Sequence, residues 1–157
     1  MSLDKLNGKL QVLGQLNNGP NTTADFELLA LPQSTSLQES LGLHFASFVD
    51  WRTQQPHSAE KWHIETKQLG KKSDAALQPI LEYWFFKLPY APKFEDDRLW
   101  VKSNIINDVL ETLDEIVGEC ELHEVFVAPP IWYEGHWQDV AFCRNGNFWL
   151  LHLGVTD

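Results

Sequence analysis

Val140-Ala141-Phe142-Cys143-Arg144-Asn145-Gly146-Asn147-Phe148-Trp149-Leu150-Leu151 carries the clearest structural instruction in the chain. Asn-Gly between two apolar runs specifies a two-residue type I′ turn, because both central residues must adopt positive φ. That turn fixes the register of the strands it joins. Arg144 then opposes Asn147, Cys143 opposes Phe148 and Phe142 opposes Trp149, followed outward by Ala141 with Leu150, Val140 with Leu151 and Asp139 with His152. One face of the hairpin carries Val140, Phe142, Trp149, Leu151 and Leu153 and reads as core. The other carries Asp139, Ala141, Cys143, Phe148, Leu150 and His152, so a carboxylate and an imidazole become direct cross-strand neighbours.

Upstream of the hairpin, residues 121–128 read as a strand closed by Pro129-Pro130. Before it, Ile106, Val109, Leu110, Leu113, Ile116 and Val117 form an apolar stripe at helical spacing over 104–117. Ser103 is the N-cap expected for that helix and Gly118 its stop. Leu99 to Val101 reads as a short strand, and Leu77, Ile80, Leu81, Trp84 and Phe85 as a helix with Pro79 in its first turns. Trp62, Ile64 and Thr66 alternate like a strand. Ser36 and Glu39 have capping-box spacing and open a helix through Leu37, Leu41, Phe45 and Phe48 to about Thr53. The N-terminus reads two ways. Leu3, Leu6, Leu10 and Leu13 have helical spacing, but Gly8 and Gly14 weaken a helix, and Leu10, Val12 and Leu16 suit a strand. The favoured reading is a strand at 9–16 turning through 17–21 into a second strand at 24–31. Strands at both ends with helices between them make an α+β fold: a largely antiparallel sheet with about three helices on one face and a C-terminal β-hairpin.

The chain has 157 residues, no linker, repeat or low-complexity tract, and is expected to form a single domain over 1–157. Apolar residues make up 43% and charged residues 22%, a globular rather than a disordered balance. Its seven tryptophans and nine phenylalanines are expected mainly in the core. Cys120 and Cys143 are too few for a disulfide framework and favour free thiols in a reducing compartment. The first residues, Met1-Ser2-Leu3-Asp4, place an acid where a secretory leader is basic, so a cytoplasmic location is expected. The apolar run Val125 to Tyr133 is far too short to span a bilayer, and no membrane partner is expected.

Familiar nucleotide, nucleophile and calcium motifs are missing, so neither a cofactor nor a catalytic residue is assigned. His123-Glu124 lacks the second histidine of a zinc protease, having Val127 there, and Cys120, His123, His136 and Cys143 lack the spacing of a zinc knuckle. No metal site is expected from them. The candidate ligand site is instead the glycine-hinged loop Trp132-Tyr133-Glu134-Gly135-His136-Trp137 together with Asp139 and His152. Aromatic rings beside carboxylates suit a cationic or sugar-like ligand.

Charge gives the second lead. Residues 95–139 hold twelve acids against two bases, Arg98 and Lys102, a difference equal to the whole chain's net charge of −10. Asp108, Glu111 and Glu115 lie on the polar face of the 104–117 helix and are the candidate partner-binding residues. Such a surface steers a basic protein and disfavours nucleic acid. Two functions follow as expectations: a protein-binding or inhibitor module of the immunity type engaging a basic partner, or a small-molecule site, conceivably enzymatic, lined by Trp132, Glu134, His136, Trp137, Asp139 and His152.

Overall fold

The computed structural model describes residues 2–89, 91 and 99–157. In chain order its elements are α1 (Ser2–Leu16), β1 (Thr23–Ala30), α2 (Leu37–Ala46), β2 (Val49–Asp50), β3 (Gln55–Pro56), a 3-10 turn (Ala59–Trp62), β4 (Glu65–Lys71), α3 (Asp74–Phe86), α4 (Leu99–Val117), β5 (Glu121–Phe126), β6 (His136–Arg144) and β7 (Asn147–Thr156). Five strands form one antiparallel sheet in the order β1-β7-β6-β5-β4, while β2 and β3 make a separate two-stranded ribbon. The β6–β7 hairpin has the expected register throughout, from Arg144 opposite Asn147 to Asp139 opposite His152. Asn145 and Gly146 take the positive φ values, 50° and 78°, that the turn requires.

Three helices, α1, α3 and α4, cover one face of the sheet. Their Leu6, Leu10, Leu81, Trp84, Val109 and Leu113 meet Val140, Phe142, Leu151 and Leu153 of the hairpin. The other face is apolar at Ala141, Leu150 and Val125 and is covered as well, by Leu41 and Phe45 of α2 and by Trp62. Two cores therefore lie on either side of the central strands. Asp139 and His152 lie on this same face beside the second core and are buried polar groups rather than surface ones.

Four expectations need correction. Residues 9–16 belong to α1, not to a strand: Leu6, Leu10 and Leu13 form its buried stripe, and the Val12 and Leu16 counted toward a strand are 56% and 54% exposed. The glycines do not break this helix because tertiary contact holds it. Gly14 lies so close to β1 that a Cβ there would sit 3.1 Å from the Ala24 carbonyl oxygen. The Asn7 side chain exchanges two hydrogen bonds with the backbone of Leu28, at 3.0 and 2.8 Å, and so covers the open edge of β1.

The helix opening at Ser36 is capped as expected, with Ser36 Oγ accepting from the Glu39 amide, but it ends at Ala46 rather than Thr53. Ser47 takes the cap position, and the chain turns into β2. Trp62 closes a 3-10 turn, and the left-handed His63 (φ 49°) separates it from β4, so only Thr66 of the alternating trio is in a strand. Finally, Leu99–Val101 is the first turn of α4, which leaves Ser103 inside the helix instead of at its cap. Nothing between 99 and 117 breaks the helical pattern, and Gly118 (φ 58°) ends it as expected. Of the acidic segment, residues 95–98 lie outside the described residues. Among the described residues no helix is long and apolar enough to cross a membrane.

Candidate functional site

The site grows from the cross-strand pair. With β6 and β7 in register, His152 Nδ1 donates to Asp139 Oδ1 at 2.6 Å, and Asp139 is fully buried. Tyr133 OH donates to the second oxygen, Asp139 Oδ2, at 2.9 Å and lies 3.1 Å from His152 Nδ1. On the other side of the ring, Glu134 Oε1 accepts from His152 Nε2 at 3.2 Å. The loop after β5 brings Tyr133 and Glu134 over the sheet and is tied down where the Gly135 amide donates to the Val155 carbonyl at 3.1 Å. Gly154 makes room for this arrangement, since a Cβ there would lie 2.8 Å from His152 Nε2 and 3.0 Å from Glu134 Cδ.

Electrostatics follow from the contacts. Burial opposes a charge on His152, but the hydrogen bonds and the negative charge of Asp139 and Glu134 outweigh it and push the imidazole up to about 10. Burial, then the neighbouring Asp139, holds the Tyr133 phenol far above its ordinary value, so it remains a hydrogen-bond donor. His44, beneath the site, is lowered by burial, with Asp139 acting against the shift and His152 with it.

Sequence reasoning missed the third strand of the site. β1 pairs with β7 so that Glu27 lies directly opposite His152 and Asp25 opposite Gly154. Burial, then repulsion from Asp25, raises the Glu27 carboxyl despite the opposing pull of His152. The signal was present in Asp25-Phe26-Glu27-Leu28, whose strict alternation of acid and apolar residue puts both acids on one face. What could not be read was that this face adjoins His152.

Together Asp25, Glu27, Glu134 and His152 form the polar wall of a cavity of about 380 Å³. Its apolar wall includes Phe48, Ile131 and Trp132, the last 61% exposed at the rim. Of the residues expected at one cleft, the structure gathers Trp132, Tyr133, Glu134, Asp139 and His152. It does not gather His136 and Trp137. His136 points to the other side of the sheet, where it stacks on Trp84 (centroids 4.9 Å apart) and meets Tyr83 OH at 3.2 Å. Trp137 packs edge-on against Tyr133 at 5.3 Å and shares a second cavity with His136. Strand alternation explains the place of His136, which stands an odd number of residues from Asp139 on β6, whereas Trp137 shares the parity of Asp139 and packs on Tyr133 without lining the cavity.

The acidic face of α4 lies in the opposite layer. Asp108, Glu111 and Glu115 are exposed there, and Asp108 is paired with Lys9 of α1 at 2.7 Å. Asp114 is likewise paired with Lys72, also at 2.7 Å. Cys120 and Cys143 are free and half-buried, while His136 is at the far end of β6 from Cys143.

No family model and no curated protein matches the chain. Among solved structures, it is similar to citrus MAF1 in one crystal form, with a TM-score of 0.54 and 17% identity over 99% of each chain. It is similar to citrus MAF1 in a second crystal form, with a TM-score of 0.53 and 14% identity over 99% of this chain and 98% of that one. The likeness spans the whole α+β arrangement, and at this identity it speaks of fold alone.

Proposed function

We propose that this is a binding protein whose site is the cavity around His152, and that its ligand is a small cation. The observation that carries this reading is the convergence of Asp25, Glu27 and Glu134 from two separate segments on one aromatic-rimmed cavity. Three carboxyl groups outnumber the single imidazolium among them, so the cavity wall is net negative. Like charges gathered on one face oppose folding, which is the pattern of a site shaped for a ligand rather than for stability. Phe48 and Trp132 add ring faces that attract a cation once it is desolvated. The cavity's volume of about 380 Å³ falls in the range of small-ligand pockets. The free thiols of Cys120 and Cys143 favour a reducing, cytoplasmic setting.

Titration of the isotope-labelled protein with benzylammonium tests this reading. The signals of Trp132, Glu134 and His152 should move and saturate, and neutral benzyl alcohol should leave them in place. Equal shifts with both compounds, or shifts centred on the His136 cavity, would overturn the assignment.

A second reading places a basic protein partner on α4. Among the described residues Glu111 and Glu115 are exposed and form no ion pair, so their charge is available to steer an approaching cationic surface.

A further inference from the structure

Glu134 holds an unanswered oxygen. Its side chain is only 8% exposed, and while Oε1 accepts from His152, Oε2 is buried with no hydrogen-bond partner among the described residues. A carboxylate oxygen removed from water with no donor carries an uncompensated desolvation cost, so the position calls for a positive or donating group from outside the chain. Asp25 and His152 bring two more ligating groups to the same point. One carboxylate oxygen from each of Asp25 and Glu134 and one ring nitrogen of His152 lie within 4.8 Å of one another.

We propose that Asp25, Glu134 and His152 bind a divalent metal ion of the zinc or manganese type. This rests on the cavity being a cation site and names the cation. His152 Nε2 is the ligand nitrogen, because Nδ1 is committed to Asp139. A metal-bound histidine characteristically gives its other ring N–H to a carboxylate, which fixes the tautomer and the direction of the ring. Asp139 fills that place at 2.6 Å and is itself held by Tyr133 OH. Asp139 and Tyr133 are thus positioning residues, not ligands.

The spacing fits a small ion. Ligand atoms about 2.1 Å from a tetrahedral metal stand roughly 3.4 Å from each other. The 3.2 Å between His152 Nε2 and Glu134 Oε1 already matches. Asp25 supplies the third ligand atom from an exposed position on the edge strand β1, within 4.8 Å of the other two. One imidazole with two carboxylates and no thiolate favours zinc or manganese over copper(I), and the nitrogen donor disfavours calcium and magnesium. Three protein ligands leave a fourth position open toward the cavity. Binding replaces the Nε2 proton by the ion, so one proton leaves as the metal enters.

Calorimetric titration of the full chain, first stripped with EDTA, with zinc chloride, manganese chloride and magnesium chloride tests the proposal. One equivalent of zinc or manganese should bind saturably, and magnesium should bind far more weakly. Asp25→Asn, at an exposed strand position, should weaken binding at least tenfold without unfolding the chain. Asp139→Asn should weaken it by about tenfold to a hundredfold through loss of ring orientation. The double variant Cys120→Ser, Cys143→Ser should bind as the parent does. Failure of zinc and manganese to saturate the protein overturns the proposal, as does binding that survives Asp25→Asn together with Glu134→Gln, or that vanishes in the cysteine variant. If both metals fail while benzylammonium still moves Trp132 and His152, only the metal is wrong. If every cation fails, the cation site itself is wrong.

Discussion

His152 lies between two buried carboxylates, and its protonation links the site to the stability of the metal-free fold. Its folded pKa, about 10, stands above the roughly 6.5 of an unfolded histidine. A raised pKa means that the folded state binds the proton more tightly, so the contribution is complete below about pH 6.5 and is lost as pH climbs toward 10. Denaturant unfolding of EDTA-stripped protein should therefore show stability declining across that window. Asp139→Asn should flatten the decline and cost about 3 kcal/mol at neutral pH, since it removes one partner of a buried pair. A parent protein with no slope between those pH values would contradict the protonated imidazole. This pair was legible in the sequence because Asn145-Gly146 fixes it through local turn chemistry. Asp25 and Glu27 were not, because their place beside His152 depends on β1 finding β7 across most of the chain.

Among the elements, α4 and α1 show how far periodicity reaches. The stripe of Ile106, Val109, Leu110, Leu113 and Val117 was readable and is buried. Local signals misplace the start of α4, and Gly8 and Gly14, which weaken a helix, tilt residues 9–16 of α1 toward a strand. The contact that permits one, Gly14 against the Ala24 carbonyl, lies outside any local window. The same pairing of elements bears on the proposed partner-binding surface. Asp108 is tied to Lys9 and helps to dock α1, so charge reversal there would disturb packing as well as charge. Glu111 and Glu115 give the cleaner test. Glu111→Lys with Glu115→Lys should slow association with a polylysine peptide markedly at low salt and little at high salt. Unchanged association at low salt would remove α4 from any account of partner binding.

At the scale of the whole molecule, both faces of the sheet are covered, and the two layers differ in character. The α1, α3 and α4 layer holds the larger apolar core. The α2 layer is a smaller aromatic core of Phe45 and Trp62, with Phe48 and Tyr133 packed against it, and it gives way at one end to the acidic cavity. The first layer followed from the hairpin's apolar face, whereas the second was hidden. Ala141, Phe148 and Leu150 read as part of a mixed outer face, whereas α2 and Trp62 cover them. If the acids of this cavity serve a ligand and not the fold, removing one of them should cost the fold nothing. Glu27 is raised by burial and by Asp25, so its ionised form is disfavoured in the folded state and weakens the fold at neutral pH. The unfolding free energy of Glu27→Gln in EDTA-stripped protein at neutral pH puts this most directly to the test. Stability should equal or exceed the parent's, and a loss of more than about 1 kcal/mol, typical of a broken structural hydrogen bond, would assign Glu27 to the fold instead.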